Sequence, residues 1–135
     1  MTVRVERDGR VTIITLDRPE RRNAIDHPTL LELLELQADI AARSPAETRV
    51  VVLTGAAPAF SAGADLNGVE AGQFATDLRR VLVGFGSLPV PVIAAIGGPA
   101  LGAGTQLAIA ADLRIATPDS PLGIPAARLG ISVDH

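Results

Sequence analysis

The sequence has 135 residues, a 47% hydrophobic share, a formal net charge of -3 and a pI near 5.3. That length supports one domain with a real core, and a mean hydropathy of +0.33 excludes a disordered chain. Zero cysteines exclude disulfides, thiolate catalysis and zinc–thiolate sites, and 2% aromatics with no basic run exclude nucleic acid as a partner.

Val3 to Glu6 and Val11 to Leu16 alternate apolar and polar residues around Arg7-Asp8-Gly9-Arg10, which predicts a β-hairpin. Arg18-Pro19-Glu20-Arg21-Arg22-Asn23 is a charged loop. Its arginines read equally as a solvated surface or as a rim that attracts an anionic ligand. From Pro28 to Ala42 the apolar Leu30, Leu33, Leu34 and Ile40 recur at helical spacing, with Glu32, Glu35 and Asp39 on the other face. Asp26 or His27 precedes the first turn. Arg43-Ser44-Pro45-Ala46-Glu47 ends this helix. The β-branched run Arg49 to Leu53 predicts a strand buried on both faces.

Thr54-Gly55-Ala56-Ala57-Pro58 breaks that strand, and Phe60-Ser61-Ala62-Gly63-Ala64-Asp65-Leu66 follows. Gln73 to Phe85 carries Phe74, Leu78, Val81, Leu82 and Phe85 at helical spacing, the pattern of a core-facing helix. Leu88-Pro89-Val90-Pro91 stiffens the approach to a second buried strand, Val92 to Ile96. Gly98-Pro99-Ala100-Leu101-Gly102-Ala103-Gly104 then opens a helix of small residues that runs to Ala110. Leu113 to Ala116 reads as a short strand, and Thr117-Pro118-Asp119-Ser120-Pro121 as a turn.

The two junctions share one plan: a buried strand, a loop of small residues, then a helix. Small side chains let a ligand approach the backbone. The first N–H groups of a helix lack internal partners and carry the positive end of its dipole. Two such junctions facing each other offer two donors to one oxygen, the design of an oxyanion hole. Ser61 lacks a Gly-x-Ser-x-Gly setting and an identifiable base, so it is not expected to be a nucleophile. Asp65 is expected to cap a helix rather than act as a base. The glycines from Gly97 to Gly104 do not fit a dinucleotide fingerprint, and no acidic ribose partner follows at the expected offset.

Phe60-Ser61-Ala62-Gly63-Ala64-Asp65-Leu66, followed by Pro91 to Gly104 and flanked by Asp17-Arg18-Pro19-Glu20-Arg21-Arg22-Asn23-Ala24-Ile25 and Ala111 to Ala116, resembles the enoyl-CoA hydratase/isomerase (crotonase) superfamily. The resemblance implies an α/β fold, the ClpP/crotonase-like spiral of ββα turns, as a single domain over residues 1–135. Family members run about twice as long, so the sequence reads as the N-terminal spiral core without the C-terminal helical part. The resemblance further implies an acyl-CoA or enoyl-CoA thioester as partner, its carbonyl held by the Ala64 and Ala103 N–H groups. Arg22, Ala24, Ala62, Asp65 and Leu66 then line the coenzyme A path, and the apolar face of the 73–85 helix flanks the acyl pocket. Coenzyme A is expected as part of the substrate, with no permanently bound cofactor. His27 and His135 share no metal-ligand spacing, so no metal is expected. A homotrimer or hexamer is implied. With no stretch of about 18 apolar residues and no signal-peptide pattern, a cytoplasmic location is expected.

Hydratases of this family use two glutamates, one to activate water and one to manage the proton at the α-carbon. On the motif match those positions hold Gln106 and Ala126. Glutamine hydrogen-bonds water without accepting its proton, and alanine does neither. Three readings follow. One is a family enzyme of another chemistry, with Asp134 near the place of the nucleophilic aspartate in the family's chlorobenzoyl-CoA dehalogenase. Another is a non-catalytic acyl-CoA binder, similar to actinobacterial hydratase-like proteins that lack the glutamates. The third is a conventional hydratase, against which stands the absence of any glutamate after Glu70.

Overall fold

The computed structural model describes residues 1–123. The expected hairpin forms from β1 (Val3–Asp8) and β2 (Val11–Leu16), antiparallel, with Val3 opposite Leu16 and Asp8 opposite Val11. Gly9 turns the chain at φ +59, which suits a residue without Cβ. β3 (Val50–Gly55), β4 (Val92–Ile96) and β6 (Leu113–Ala116) then add in parallel, giving the sheet order β1-β2-β3-β4-β6. A second, two-stranded parallel sheet joins β5 (Ala100–Leu101) to β7 (Leu122–Gly123). Nothing in the sequence pattern announces it, because two residues are too few to show a period.

β3 departs from its expected burial on both faces. Val51 and Leu53 are fully buried, while Val50 and Val52 are only half-buried. Its β-branched run therefore reflects strand propensity on both sides but core packing on one.

The parallel strands are linked by helices, as parallel pairing requires. α1 (His27–Arg43) is capped by Asp26, whose carboxylate accepts from Thr29 N at 2.9 Å and Thr29 Oγ1 at 2.6 Å. That settles the choice between Asp26 and His27 in favour of the aspartate, which supplies an acceptor to an orphan N–H. α2 (Ala71–Gly86) and α3 (Ala103–Ala110) follow. Ile14, Leu30, Leu33, Leu53, Phe85 and Leu107 sit in one buried cluster between sheet and helices.

Two polar residues are buried where α1 meets α2. Gln37 Nε2 donates to Val81 O at 2.8 Å, and a Cβ on Gly84 would overlap the Gln37 amide. Asp77, 3% exposed, faces His27 Nε2 at 2.7 Å, Gln73 Nε2 at 2.8 Å and Arg80 Nη1 at 3.0 Å. Those donors, His27 foremost, hold its carboxyl down at about 2, against an ordinary 3.8. The proton is thus bound more weakly in the folded than in the unfolded chain. Stability from Asp77 is present above the unfolded value and is lost as pH falls from about 4 toward about 2. Asp77→Asn is expected to be less stable than the parent at pH 6, with the gap closing between pH 4 and 2. Denaturation midpoints across that range measure it, and a gap unchanged down to pH 2.5 would refute the assignment.

Candidate functional site

The site is built where β3 and β4 end. After β3 the chain doubles back so closely that a Cβ on Gly55 would overlap the Phe60 carbonyl oxygen. Phe60 N and Ser61 N both reach Pro99 O, at 3.0 and 3.2 Å, and Leu101 N reaches Ser61 O at 3.0 Å. Ser61 thereby pairs in parallel with Ala100. On the other edge of the same segment, Ala62 N donates to Arg22 O (2.9 Å), Ile25 N to Gly63 O (2.7 Å) and Asp65 N to Ile25 O (2.8 Å). Residues 61–65 therefore lie between the loop at 22–25 and the second glycine-rich stretch.

This arrangement fixes the direction of Ala64. In an extended segment successive N–H groups point to opposite edges. Gly63 O and Asp65 N are spent on Ile25, so the Ala64 N–H points to the opposite edge, the side of Leu101 and α3. Gly63, at φ +115, presses against that side: a Cβ there would lie 3.2 Å from Leu101 O and 3.9 Å from Ala103 N. Ala103 is the first residue of α3, after Gly102 at φ +55. Its N–H is one of the orphan donors of a helix start. Neither the Ala64 nor the Ala103 N–H donates to a protein acceptor among the described residues.

Expectation and structure part at Asp65. It caps no helix, since α2 begins at Ala71 behind Glu70. Its Oδ1 accepts from Asn67 N at 3.1 Å and its Oδ2 from Arg18 Nη2 at 3.3 Å. The Asn67 N–H foremost, helped by Arg18, keeps its carboxyl below the usual range against partial burial. Aspartate favours such a local turn as readily as a helix cap, and sequence alone does not separate the two. The Ala64 donor accordingly belongs to a ladder rather than to a helix start, and only Ala103 has a helix behind it.

Ser61 is fully buried, its Oγ donating to Asn23 O at 2.8 Å and accepting from Gly63 N at 3.3 Å. It is a structural hydroxyl, as its sequence setting suggests. Gln106 lies one turn after Ala103 on the same side of α3, half-buried, its N bonded to Gly102 O at 3.1 Å. Ala62, Ala64 and Leu66 are exposed, Ala24 is half-buried and Arg22 is exposed at φ 51. Ala126 and Asp134 lie outside the described residues.

Two contributors, Asn23 and Thr105, went unread in the sequence, and a third, Arg18, differs from its expected exposure. Asn23, 1% exposed at φ 57, donates from Nδ2 to Ala56 O and Ala59 O at 2.7 Å each and accepts Arg18 N at 2.8 Å. It holds the first junction's turn closed. Thr105 Oγ1 lies 2.6 Å from Ala100 O and 2.8 Å from Gly123 O, and accepts Gly123 N at 3.1 Å, tying β7 to α3. Arg18, only 15% exposed, is not a solvated surface charge but is turned inward onto Ala24, Asp26 and Asp65. The available signal was the asparagine closing a charged loop, since asparagine tolerates the left-handed region.

These features define an α/β protein whose two glycine-containing junctions lie side by side, Ser61 paired with Ala100 and Gly63 against Leu101 and Ala103. The chain belongs to the enoyl-CoA hydratase/isomerase family, whose model matches residues 6–135, and its fold is that of the crotonase spiral. It is 44% identical over 133 residues to a Mycobacterium leprae protein named "Probable enoyl-CoA hydratase echA6", covering 93% of this chain and 51% of that one. To the short-chain-enoyl-CoA hydratase of Clostridium acetobutylicum it is 36% identical over 135 residues, covering 95% and 51%. The crystal structure of enoyl-CoA hydratase from Bacillus anthracis superposes with a TM-score of 0.89 at 38% identity, covering 97% of this chain and 53% of that one. The chain thus spans about half the length of the curated relatives it matches. Among the described residues no helix is long and apolar enough to cross a membrane.

Proposed function

We propose that this chain binds a fatty acyl- or enoyl-CoA thioester, with the Ala64 and Ala103 N–H groups on the thioester oxygen. The observation that carries this is the direction of the Ala64 N–H, away from its ladder with Ile25 and toward the Ala103 end of α3. Two preorganised donors stabilise negative charge on a carbonyl oxygen without reorganisation. Coenzyme A, part of the substrate rather than a resident cofactor, runs past Arg22, Ala24, Ala62, Asp65 and Leu66. Exposed Arg21 and Arg22 supply positive charge for its phosphates.

Hydration is a further step. Gln106, on the Ala103 side of α3, polarises a water but takes no proton from it at neutral pH. Proton transfer by a positioned group contributes about 10²–10⁴-fold, so the reading favoured here is thioester binding without efficient hydration. The names of the relatives favour hydration as the second reading. Incubating the full-length protein with a trans-2-enoyl-CoA separates them, with the acyl-CoA mass followed for the gain of one water and binding measured in the same sample. Binding without water gained is the expected result. Water gained at a hydratase-like rate overturns it, and no binding at all removes the thioester reading.

A further inference from the structure

Arg18 encloses the backbone bridge between Ile25 and Ala64. Its Nη1 donates to Ala24 O at 2.8 Å and pairs with Asp26 Oδ2 at 3.3 Å. Its Nη2 pairs with Asp65 Oδ2 at 3.3 Å. Ala24 and Asp26 flank Ile25, and Asp65 follows Ala64. Ile25 in turn bonds Gly63 O and Asp65 N. One guanidinium therefore grips both strands of the Ile25–Ala64 bridge, on either side of Ile25 and just beyond Ala64. Asp26 also caps α1 through Thr29, which anchors the grip to a whole helix.

The side chains involved are inward-facing, 15% exposed for Arg18 and Asp65 and 18% for Asp26. Ion pairs so placed are screened less than surface pairs. The planar fork addresses a carbonyl and two carboxylates at once, which a lysine ammonium on a flexible stem does not reproduce. Arg18 also starts the loop that Asn23 closes, its N–H on Asn23 Oδ1 and its carbonyl accepting Asn23 N at 2.8 Å.

We propose that Arg18 is the positioning residue of the thioester site: it sets the direction of the Ala64 N–H through Asp65, Ala24 and Asp26 without touching the substrate. The inference rests on the thioester reading above. Its consequence is selective. Arg18 bears more on recognition of the thioester carbonyl, which only an acylated ligand brings, than on the grip on free coenzyme A. Misdirecting one donor weakens one hydrogen bond of the pair, a loss of about threefold to tenfold in affinity.

The test uses the full-length protein, crotonyl-CoA labelled with carbon-13 at the thioester carbonyl, and free coenzyme A as control. On the parent protein the carbonyl infrared band is expected to move to lower frequency upon binding. Arg18→Met should return the band toward its position in free crotonyl-CoA and weaken crotonyl-CoA binding threefold to tenfold, with free coenzyme A affinity falling less. Arg18→Lys should fall between the two. Asp65→Asn removes the charge that Arg18 holds while keeping an acceptor for Asn67 N, so it should show the same band change with less risk to folding; because Asp65 itself lines the proposed coenzyme A path, this variant is read by the band alone. A parent-like band in folded Arg18→Met and Asp65→Asn, with parent-like crotonyl-CoA affinity in Arg18→Met, would overturn the positioning role alone. Equal weakening toward crotonyl-CoA and free coenzyme A in Arg18→Met would also overturn it, since that is general damage to the site. No band shift on the parent would overturn the thioester reading itself, and the role of Arg18 with it.

Discussion

Ala103→Pro is expected to leave the fold standing and to disable the site. Proline is well tolerated at the first position of a helix, where the backbone N–H has no intrahelical partner and the ring matches helical φ. Ala103 occupies that position in α3, after a glycine that accepts the restriction a following proline imposes. The substitution therefore deletes one proposed oxyanion donor with little disturbance to the helix. Removing a single such donor costs about 10²–10³-fold in turnover where a reaction proceeds through it. Where the protein only binds, the loss is that of one hydrogen bond, about threefold to tenfold in acyl-CoA affinity. Circular dichroism and the thermal midpoint establish folding, and titration with crotonyl-CoA beside free coenzyme A reads the site. Unchanged acyl-CoA affinity and rate in a folded variant would sink the assignment of Ala103.

The elements that could be read from sequence are those whose side chains repeat. α1 and α2 announce themselves through Leu30, Leu33 and Ile40, and through Phe74, Val81 and Phe85, all deep in the core. The hairpin is legible because Asp8-Gly9 stands between two alternating runs. What escaped depends on partners distant in the chain. Asp65 looks locally like a helix cap, yet one of its partners is Arg18, 47 residues earlier. Arg18 itself sits in a run of charges that reads as surface, because composition says nothing of which charge is turned inward. The small β5–β7 sheet escaped for want of length. The segment from Phe60 to Leu66 was recognisable as a family string, but its physical logic appears only when residues 61–65 are seen between Ile25 and Leu101. There the glycines and alanines are spacing elements between backbones, not flexible punctuation.

Gly104→Ala tests that spacing. Gly104 is the second residue of α3, where alanine would ordinarily gain up to about 1 kcal/mol of helix propensity over glycine. Here the added Cβ would overlap the Ser61 carbonyl oxygen and lie 2.8 Å from Ser61 Cβ and 3.0 Å from Ser61 C. The obstacle is mostly backbone, and that backbone is held by Leu101 N on one edge and by Asn23 O through the Ser61 hydroxyl. Neither side yields without breaking bonds, so an overpacking penalty near 3 kcal/mol is expected. After the helix gain the net loss is about 2 kcal/mol, or roughly 4–8 °C in Tm for a domain of this size. Gly97→Ala is the matched control, since its Cβ would meet nothing within 4 Å, and it should stay within about 0.5 kcal/mol of the parent. The damage at Gly104 should also reach the ligand if the proposed site is right, because pushing Ser61 from α3 separates Ala64 from Ala103, the two proposed donors. Equal Tm values for the two variants would show that α3 and the first loop are not in the close contact on which the site depends. A lower Tm for Gly104→Ala with parental acyl-CoA binding would show that the contact serves the fold alone.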